Sequence, residues 1–453
     1  MIDVSGKHIV VVGAARSGLA VAALLASKQA EVFVTDTGAI DAVSKKELDK
    51  LGIPFEEGGH SPRSKDAELL VISPGVPSEA PIVQQYIGEG KGVYSEIEVA
   101  SWYNQSPMIA VTGSNGKSTV VNWMADTWQR AERDCLLAGN VGVAFSQVVE
   151  QSSPEKMAIL EVSSFQLDHI HSFSPFISVL LNVTPDHLDR YNHSFKAYAA
   201  SKMRITENQT ADDWFIYNAD DTVCKQLANS LKQRDNTPQQ LAFSIHDEVE
   251  QGLFLRNGKM ICKLNETDEV LMNVQDMGIP GKHNLQNGMA TALAARAAEI
   301  KNDRLRESLE LFEGIPHRLE FVRDLEGVRY FNDSKATNIN AVWYALDCFD
   351  TPMVLILGGR DKGNDYLELE AQIRKKVHTI IALGEAKENI RSQLGNVVPN
   401  LMEADTIQQA VKSAAKQAKR GEVVLLSPAC SSFDMFKNYE DRGDQFRQAV
   451  INL

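Results

Sequence analysis

The chain has 453 residues, more than one hydrophobic core usually serves, so about three domains are expected. Its hydrophobic content of 43% and charged content of 23% are those of a globular protein, and no uninterrupted apolar run is long enough to cross a bilayer, so no membrane contact and a cytoplasmic location are expected. A formal net charge of −14 argues against nucleic acid as the main partner, and five scattered cysteines argue against a disulfide framework or a zinc cluster.

Residues 8–12 read as a buried strand, 13–18 as a turn, 19–27 as a helix and 31–35 as a second strand ending at Asp36, a βαβ opening. Gly13 and Gly18 suit a dinucleotide fingerprint. Ala15, however, stands where the middle glycine would admit a pyrophosphate, so an NAD dehydrogenase is only a weak alternative. Another mononucleotide or diphosphate can still use the helix N-terminus beside Ser17, with Asp36 and Thr37 at hand for hydroxyl groups. Residues 67–72 form a further strand that ends in the rigid turn Ser73-Pro74-Gly75-Val76-Pro77, at the strand end where open α/β sheets take ligands.

Residues 108–112 are a strand and 120–131 a helix, and between them lies Gly113-Ser114-Asn115-Gly116-Lys117-Ser118-Thr119. That is the context of a phosphate loop: glycines let backbone N–H groups curl around phosphate, Lys117 reaches the terminal phosphates and Ser118 ligates Mg²⁺. The two residues between the glycines are fewer than the usual four. Asn140 lies in the turn 139–142. The strand 157–160 ends in Glu161, suitably placed for a nucleotide-bound Mg²⁺, with Ser163 close by. The strand 177–181 leads to a polar loop with His187, and an amphipathic helix, 195–205, carries Lys202, which taken alone reads as a surface lysine. Residues 213–274 mix short strands with polar turns, residues 281–287 start an Ala-rich helix that runs to about Ile300 and presents Asn284 and Asn287 at its start, and 314–318 mark a domain boundary. Beyond it, strands ending near Asp333, Gly358, Gly384 and Ser427 alternate with helices, another parallel α/β unit.

Taken together, residues 112–119, 161–166, 182–190, 332–338 and 427–439 closely resemble the motifs of the Mur ligases, the ATP-dependent amide ligases of peptidoglycan synthesis, whose short phosphate loop has the same spacing. The resemblance implies α/β architecture in three domains. These are a Rossmann-like domain for a UDP substrate (1–95), a central P-loop ATPase domain with a mainly parallel sheet (96–314) and a Rossmann-like domain for the incoming amino acid (315–453). It implies a monomeric enzyme that uses ATP and Mg²⁺ to add D-glutamate to UDP-N-acetylmuramoyl-L-alanine through an acyl phosphate and a tetrahedral intermediate.

Residue by residue, Gly113 to Thr119 match the phosphate loop, with Lys117 and Ser118 on γ-phosphate and magnesium, and Glu161 and His187 on a second magnesium. Lys202 matches a carbamylated lysine whose anionic adduct also serves metal. Asn284, Asn287, Arg318 and Asp333 match nucleotide or domain-closure contacts. Ser17, Asp36, Thr37, Ser73, Gly75, Asn140 and Ser163 are expected on the UDP substrate. Lys335, Thr337, Lys362, Ser432, the backbone N–H of Phe433 at an expected helix start, and Tyr439 are expected on D-glutamate. Gly38 stands where some relatives carry Arg, so the resemblance does not fix the uridine contacts. A regulatory GTPase is disfavoured by the lack of an Asn-Lys-x-Asp motif; a non-catalytic nucleotide-binding scaffold and ligases adding other amino acids are the remaining alternatives.

Overall fold

The computed structural model describes residues 2–140, 142–264, 267–279, 281–361 and 363–453. Three α/β domains, each built on its own sheet, follow one another along the chain. The first sheet has five parallel strands, β1 (His8–Val12), β2 (Glu31–Asp36), β3 (Phe55–Glu57), β4 (Leu69–Ile72) and β5 (Gly92–Ser95), in the order β3-β2-β1-β4-β5. Strand order reverses at β1 and β4, so the turns after them open a crevice at their carboxyl ends. The helix Arg16–Ser27 begins earlier than its apolar periodicity suggests. Gly18 permits this close approach, since a Cβ there would strike the Gly13 carbonyl.

The central sheet has nine strands: β6 (Met108–Thr112), β7 (Cys135–Gly139), β8 (Met157–Glu161), β9 (Ile177–Leu180), β10 (Trp214–Asn218), β11 (Gln239–Ser244), β12 (Gly252–Arg256), β13 (Lys259–Lys263) and β14 (Glu269–Asn273). Their order is β14-β13-β12-β11-β10-β9-β6-β8-β7, with antiparallel pairing only at β12-β13 and β13-β14. Fully buried β6 lies between β8 and β9 in parallel register, so the segments leaving all three emerge side by side. The third sheet, β15 (Glu320–Leu325), β16 (Val328–Asn332), β17 (Met353–Gly358), β18 (Val377–Leu383), β19 (Asn400–Ala404) and β20 (Val423–Leu426), runs β15-β16-β20-β17-β18-β19 and is parallel apart from β15.

Two compact bodies result, Met1–Met277 with Asn284–Leu311, and Gly278–His283 with Phe312–Leu453. The first two domains share one body because their cores merge: Ile9 and Val11 belong to the same buried cluster as Ala110, Phe145 and Leu160. The helix Glu96–Ser101 spans the junction, and Glu98 on it accepts from the backbone N–H groups of His171, Ser172 and Phe173 and from the Trp102 indole. Burial pushes its carboxyl up, but hydrogen bonds led by that of Ser172 outweigh burial and hold it below its ordinary value of 4.5.

Glu98→Ala strands these donors, so a loss of about 3 kcal/mol is expected at pH 7 in urea unfolding. Because the native carboxyl is lowered, the contribution is present above the ordinary value of 4.5 and disappears as pH falls through the native one. An equal loss at pH 7 and at pH 3 would contradict this account.

Candidate active site

The loop after β6 is held from behind by the segment that follows β9. Asn182 accepts from Asn115 N–H at 2.8 Å and donates to its carbonyl at 3.0 Å, pairing with both backbone groups of one residue as a neighbouring strand would. Ser114 Oγ donates to the Thr184 carbonyl at 2.9 Å and lies 3.0 Å from the Tyr198 hydroxyl. Gly116 has φ +89°, and a Cβ there would lie 2.5 Å from Asn287 Oδ1, so the loop can turn against that helix only as glycine. The helix begins at Lys117, with Ser118 and Thr119 buried in its first turn.

Lys117 Nζ donates to the carbonyls of Gly113 and Ser114 at 2.7 and 2.9 Å. Lys202 Nζ donates to the same Gly113 carbonyl at 2.9 Å and lies 4.5 Å from the Tyr198 ring centre. Lys202 is therefore no surface lysine: it is 2% exposed. It follows Tyr198 by one helical turn on the inward face of Phe195–Met203, and that packing, rather than its own polarity, decides where it points. Burial first, and then the charge of Lys117, lowers its amine well below the usual 10.5.

Glu161 is buried at the end of β8. Its Oε1 accepts from Asn140 Nδ2 at 2.9 Å, its backbone carbonyl accepts from Asn140 N–H at 2.8 Å, and its Oε2 has no hydrogen-bond partner among the described residues. A buried carboxylate oxygen left open beside a phosphate loop fits a divalent cation. His187 is in the left-handed region at φ +50°, with its side chain 57% exposed and packed edge-on to Phe165. Among the described residues no three His, Cys, Asp or Glu side chains converge on one point, so any metal here depends on other oxygen donors as well. Ser163 closes a capping box with Gln166 at the start of Ser164–Leu167.

A cavity of about 570 Å³ opens at the β1/β4 crevice, and Ser17, Asp36, Thr37, Ser73, Gly75 and Asn140 all line it. Asp36 is partly engaged already, accepting from the N–H groups of Ala14 and Gly38 at 2.8 Å each. Arg16 and His60, which the motifs did not single out, also face this cavity; burial lowers His60, favouring its neutral form. In the third domain Asp333 follows β16 and accepts from Ser427 Oγ, which follows β20, at 2.7 Å. Lys335 Nζ lies 5.8 Å from the ring centre of Tyr439. Thr337 is half-buried and Ser432 buried. Lys362 lies outside the described residues. No helix begins at Phe433, which is 62% exposed: residues 432–436 form a turn in which the Ser432 carbonyl accepts from Met435 and Phe436, and the helix starts at Tyr439. Arg442 on that helix, fully buried, donates to the carbonyls of Ser334 and Cys430 and ties the loops after β16 and β20 together.

Residues 8–82 match the MurD N-terminal domain, 111–295 the Mur ligase middle domain and 317–430 the Mur ligase glutamate ligase domain. A protein of Salinibacter ruber named UDP-N-acetylmuramoylalanine--D-glutamate ligase is 45% identical over 100% of this chain and 99% of its own. The chain belongs to the Mur ligase family. A Porphyromonas gingivalis relative of the same name is 43% identical over 98% of each chain. Among solved Mur ligase structures, a UDP-N-acetylmuramate-alanine ligase from Thermotoga maritima superposes with a TM-score of 0.60 at 17% identity, over 98% of this chain and 99% of that one. A MurF ligase from the same organism, in complex with ADP, gives 0.59 at 14% identity, over 93% and 95%. At these identities the two structures show a shared fold.

In this Mur ligase the buried Asp333 is the most perturbed acid of the third domain among the described residues. Burial pushes its carboxyl up to about 7, against the opposing pull of Ser427 and Arg318. Native Asp333 thus keeps its proton where the unfolded chain has released it near 3.8, so its contribution to stability falls as pH rises from about 4 to 7. Asp333→Asn is expected to remove that slope and to gain on the wild type by up to roughly 4 kcal/mol by pH 8. Parallel urea-unfolding curves at pH 5 and pH 8 for the two proteins would refute this.

Proposed function

We infer that the protein adds D-glutamate to UDP-N-acetylmuramoyl-L-alanine at the expense of ATP, in peptidoglycan precursor synthesis. Full-length likeness to ligases of that name carries the inference, and the site supports each part of the chemistry. The substrate carboxylate attacks the γ-phosphorus of ATP, releasing ADP and forming an acyl phosphate. The amine of D-glutamate then attacks the acyl carbon, and the tetrahedral intermediate expels phosphate, leaving an amide. Negative charge concentrates at the γ-phosphate in the first step. There the phosphate loop offers N–H groups at a helix N-terminus and the Lys117 ammonium, which exchanges its two carbonyl partners for phosphate oxygens.

The open Glu161 oxygen and the Ser118 hydroxyl would hold Mg²⁺, which neutralises phosphate charge when bound; His187 and a modified Lys202 are the further ligands in this reading. An ammonium cannot ligate a metal, but a lysine whose pKa is pulled down presents a free amine that adds CO₂ and releases a proton, becoming a carbamate with two oxygens. The cavity at β1/β4 is assigned to the UDP moiety, with Arg16 as the cation that substitutes for the one Gly38 lacks. Asn284, Asn287, Arg318 and Asp333 are assigned to the nucleotide or to domain closure, and Lys335, Thr337, Lys362, Ser432, Phe433 and Tyr439 to D-glutamate. We assign the domains to residues 1–95, 96–314 and 315–453, and the enzyme acts as a cytoplasmic monomer in this reading.

Phosphate release with UDP-N-acetylmuramoyl-L-alanine and ATP tests the substrate. D-glutamate is expected to exceed L-glutamate, L-lysine and diaminopimelate by about 10²-fold or more in kcat/KM, since the wrong charge or hand misplaces a carboxylate. Equal turnover with any of the three overturns the assignment.

Lys202→Ala is expected to lose about 10²-fold or more in kcat and to regain part of it with added acetate or formate, which returns carboxylate oxygens to the vacated space. A fully active variant would rule out the carbamate.

A further inference from the structure

We propose that Arg190 is a positioning residue that clamps the wall of the UDP-substrate cavity to the segment carrying His187. The turn 74–76 lines that cavity, and all three of its carbonyls accept from this one guanidinium: Gly75 from Nη1 at 3.2 Å, and Pro74 and Val76 from Nη2 at 3.3 and 2.9 Å. Pro74 and Pro77 have no N–H, and the backbone bond closing the turn is Val76 N–H to the Ser73 carbonyl. The orientation of the turn is therefore set from outside, by a group belonging to the central domain.

Arg190 follows His187 by three residues in the short turn Leu188–Tyr191. Its guanidinium stacks 4.3 Å from the Phe165 ring centre, and that ring also meets the His187 imidazole edge-on at 5.3 Å and the Tyr191 ring at 6.0 Å. Next in sequence, Tyr191 bonds Asp168 at 2.9 Å and lies 3.1 Å from Ser201 Oγ, the residue before Lys202. One planar fork thus fixes the cavity wall on one side and, through Phe165, the histidine on the other. A lysine could not span three carbonyls and stack at once. The inference rests on assigning the cavity to the UDP substrate: a substrate held by this turn presents its carboxylate at a fixed distance from the phosphate loop, and Arg190 sets that distance.

The test uses full-length wild type, Arg190→Ala and Arg190→Lys, with calorimetric binding of UDP-N-acetylmuramoyl-L-alanine alongside steady-state kinetics. For Arg190→Ala the Kd and KM of that substrate are expected to rise at least tenfold and kcat to fall, with the KM for ATP within twofold of wild type. Arg190→Lys is expected to stay close to the alanine variant, and low-millimolar methylguanidinium to restore part of the loss in Arg190→Ala alone. Binding isolates the clamp from the function reading: wild type that binds the UDP substrate yet fails to turn over with D-glutamate overturns the function while the affinity comparison still decides on Arg190. A folded Arg190→Ala whose substrate Kd stays within twofold of wild type overturns the proposal. So does a parallel weakening of ATP and UDP substrate with a lowered Tm, which would make Arg190 a general structural residue.

Discussion

Two lysine side chains donate to one carbonyl oxygen, that of Gly113, and the chemistry of the site follows from this crowding. Both nitrogens lie within 3 Å of that oxygen, so two ammonium charges would repel by roughly 3 kcal/mol at an effective dielectric of about 20. The strain has two outlets. Lys117, at the mouth of the loop, can take an arriving phosphate as its partner. Lys202, sealed behind it and resting on Tyr198, has no such route and gives up its proton more readily. Burial first, and the Lys117 charge second, thus set the Lys202 amine apart from its neighbour.

Strand order makes this crowding possible. Because β6 sits between β8 and β9, the phosphate loop, Glu161 and the 182–187 segment leave the sheet as neighbours, although up to 70 residues separate their hydrogen-bonding partners. Fixing them also requires that the first two domains not move apart, and the merged core and the Glu98 contacts supply that restraint.

The parts that sequence revealed are those whose chemistry is local. A strand, two glycines, a lysine and a serine within residues 108–118 mark a phosphate loop, and Ser17, Asp36, Thr37, Ser73, Gly75 and Asn140 face one space, although Ser163, expected with them, does not line it. What sequence concealed depends on distant partners. Lys202 reads as exposed until Tyr198 is seen packing inward beside it, and Asn182 reads as a polar loop residue until it pairs with the backbone of Asn115, 67 positions away. At Phe433 the expected helix is a single turn that does not continue, with the Ser432 carbonyl accepting from Met435 and Phe436, and Asn438 is the side chain that caps the helix beginning at Tyr439.

Asn140 stands where the first two domains meet. Its side chain bonds the Glu161 carboxylate, its carbonyl accepts from Arg16 at 3.2 Å, and it lines the cavity of the first domain. The two contacts fall on different groups of one residue, Arg16 on its backbone carbonyl and Glu161 on its side-chain amide. One residue thus touches both the cavity of the first domain and the end of β8, at the junction of two domains that share a core.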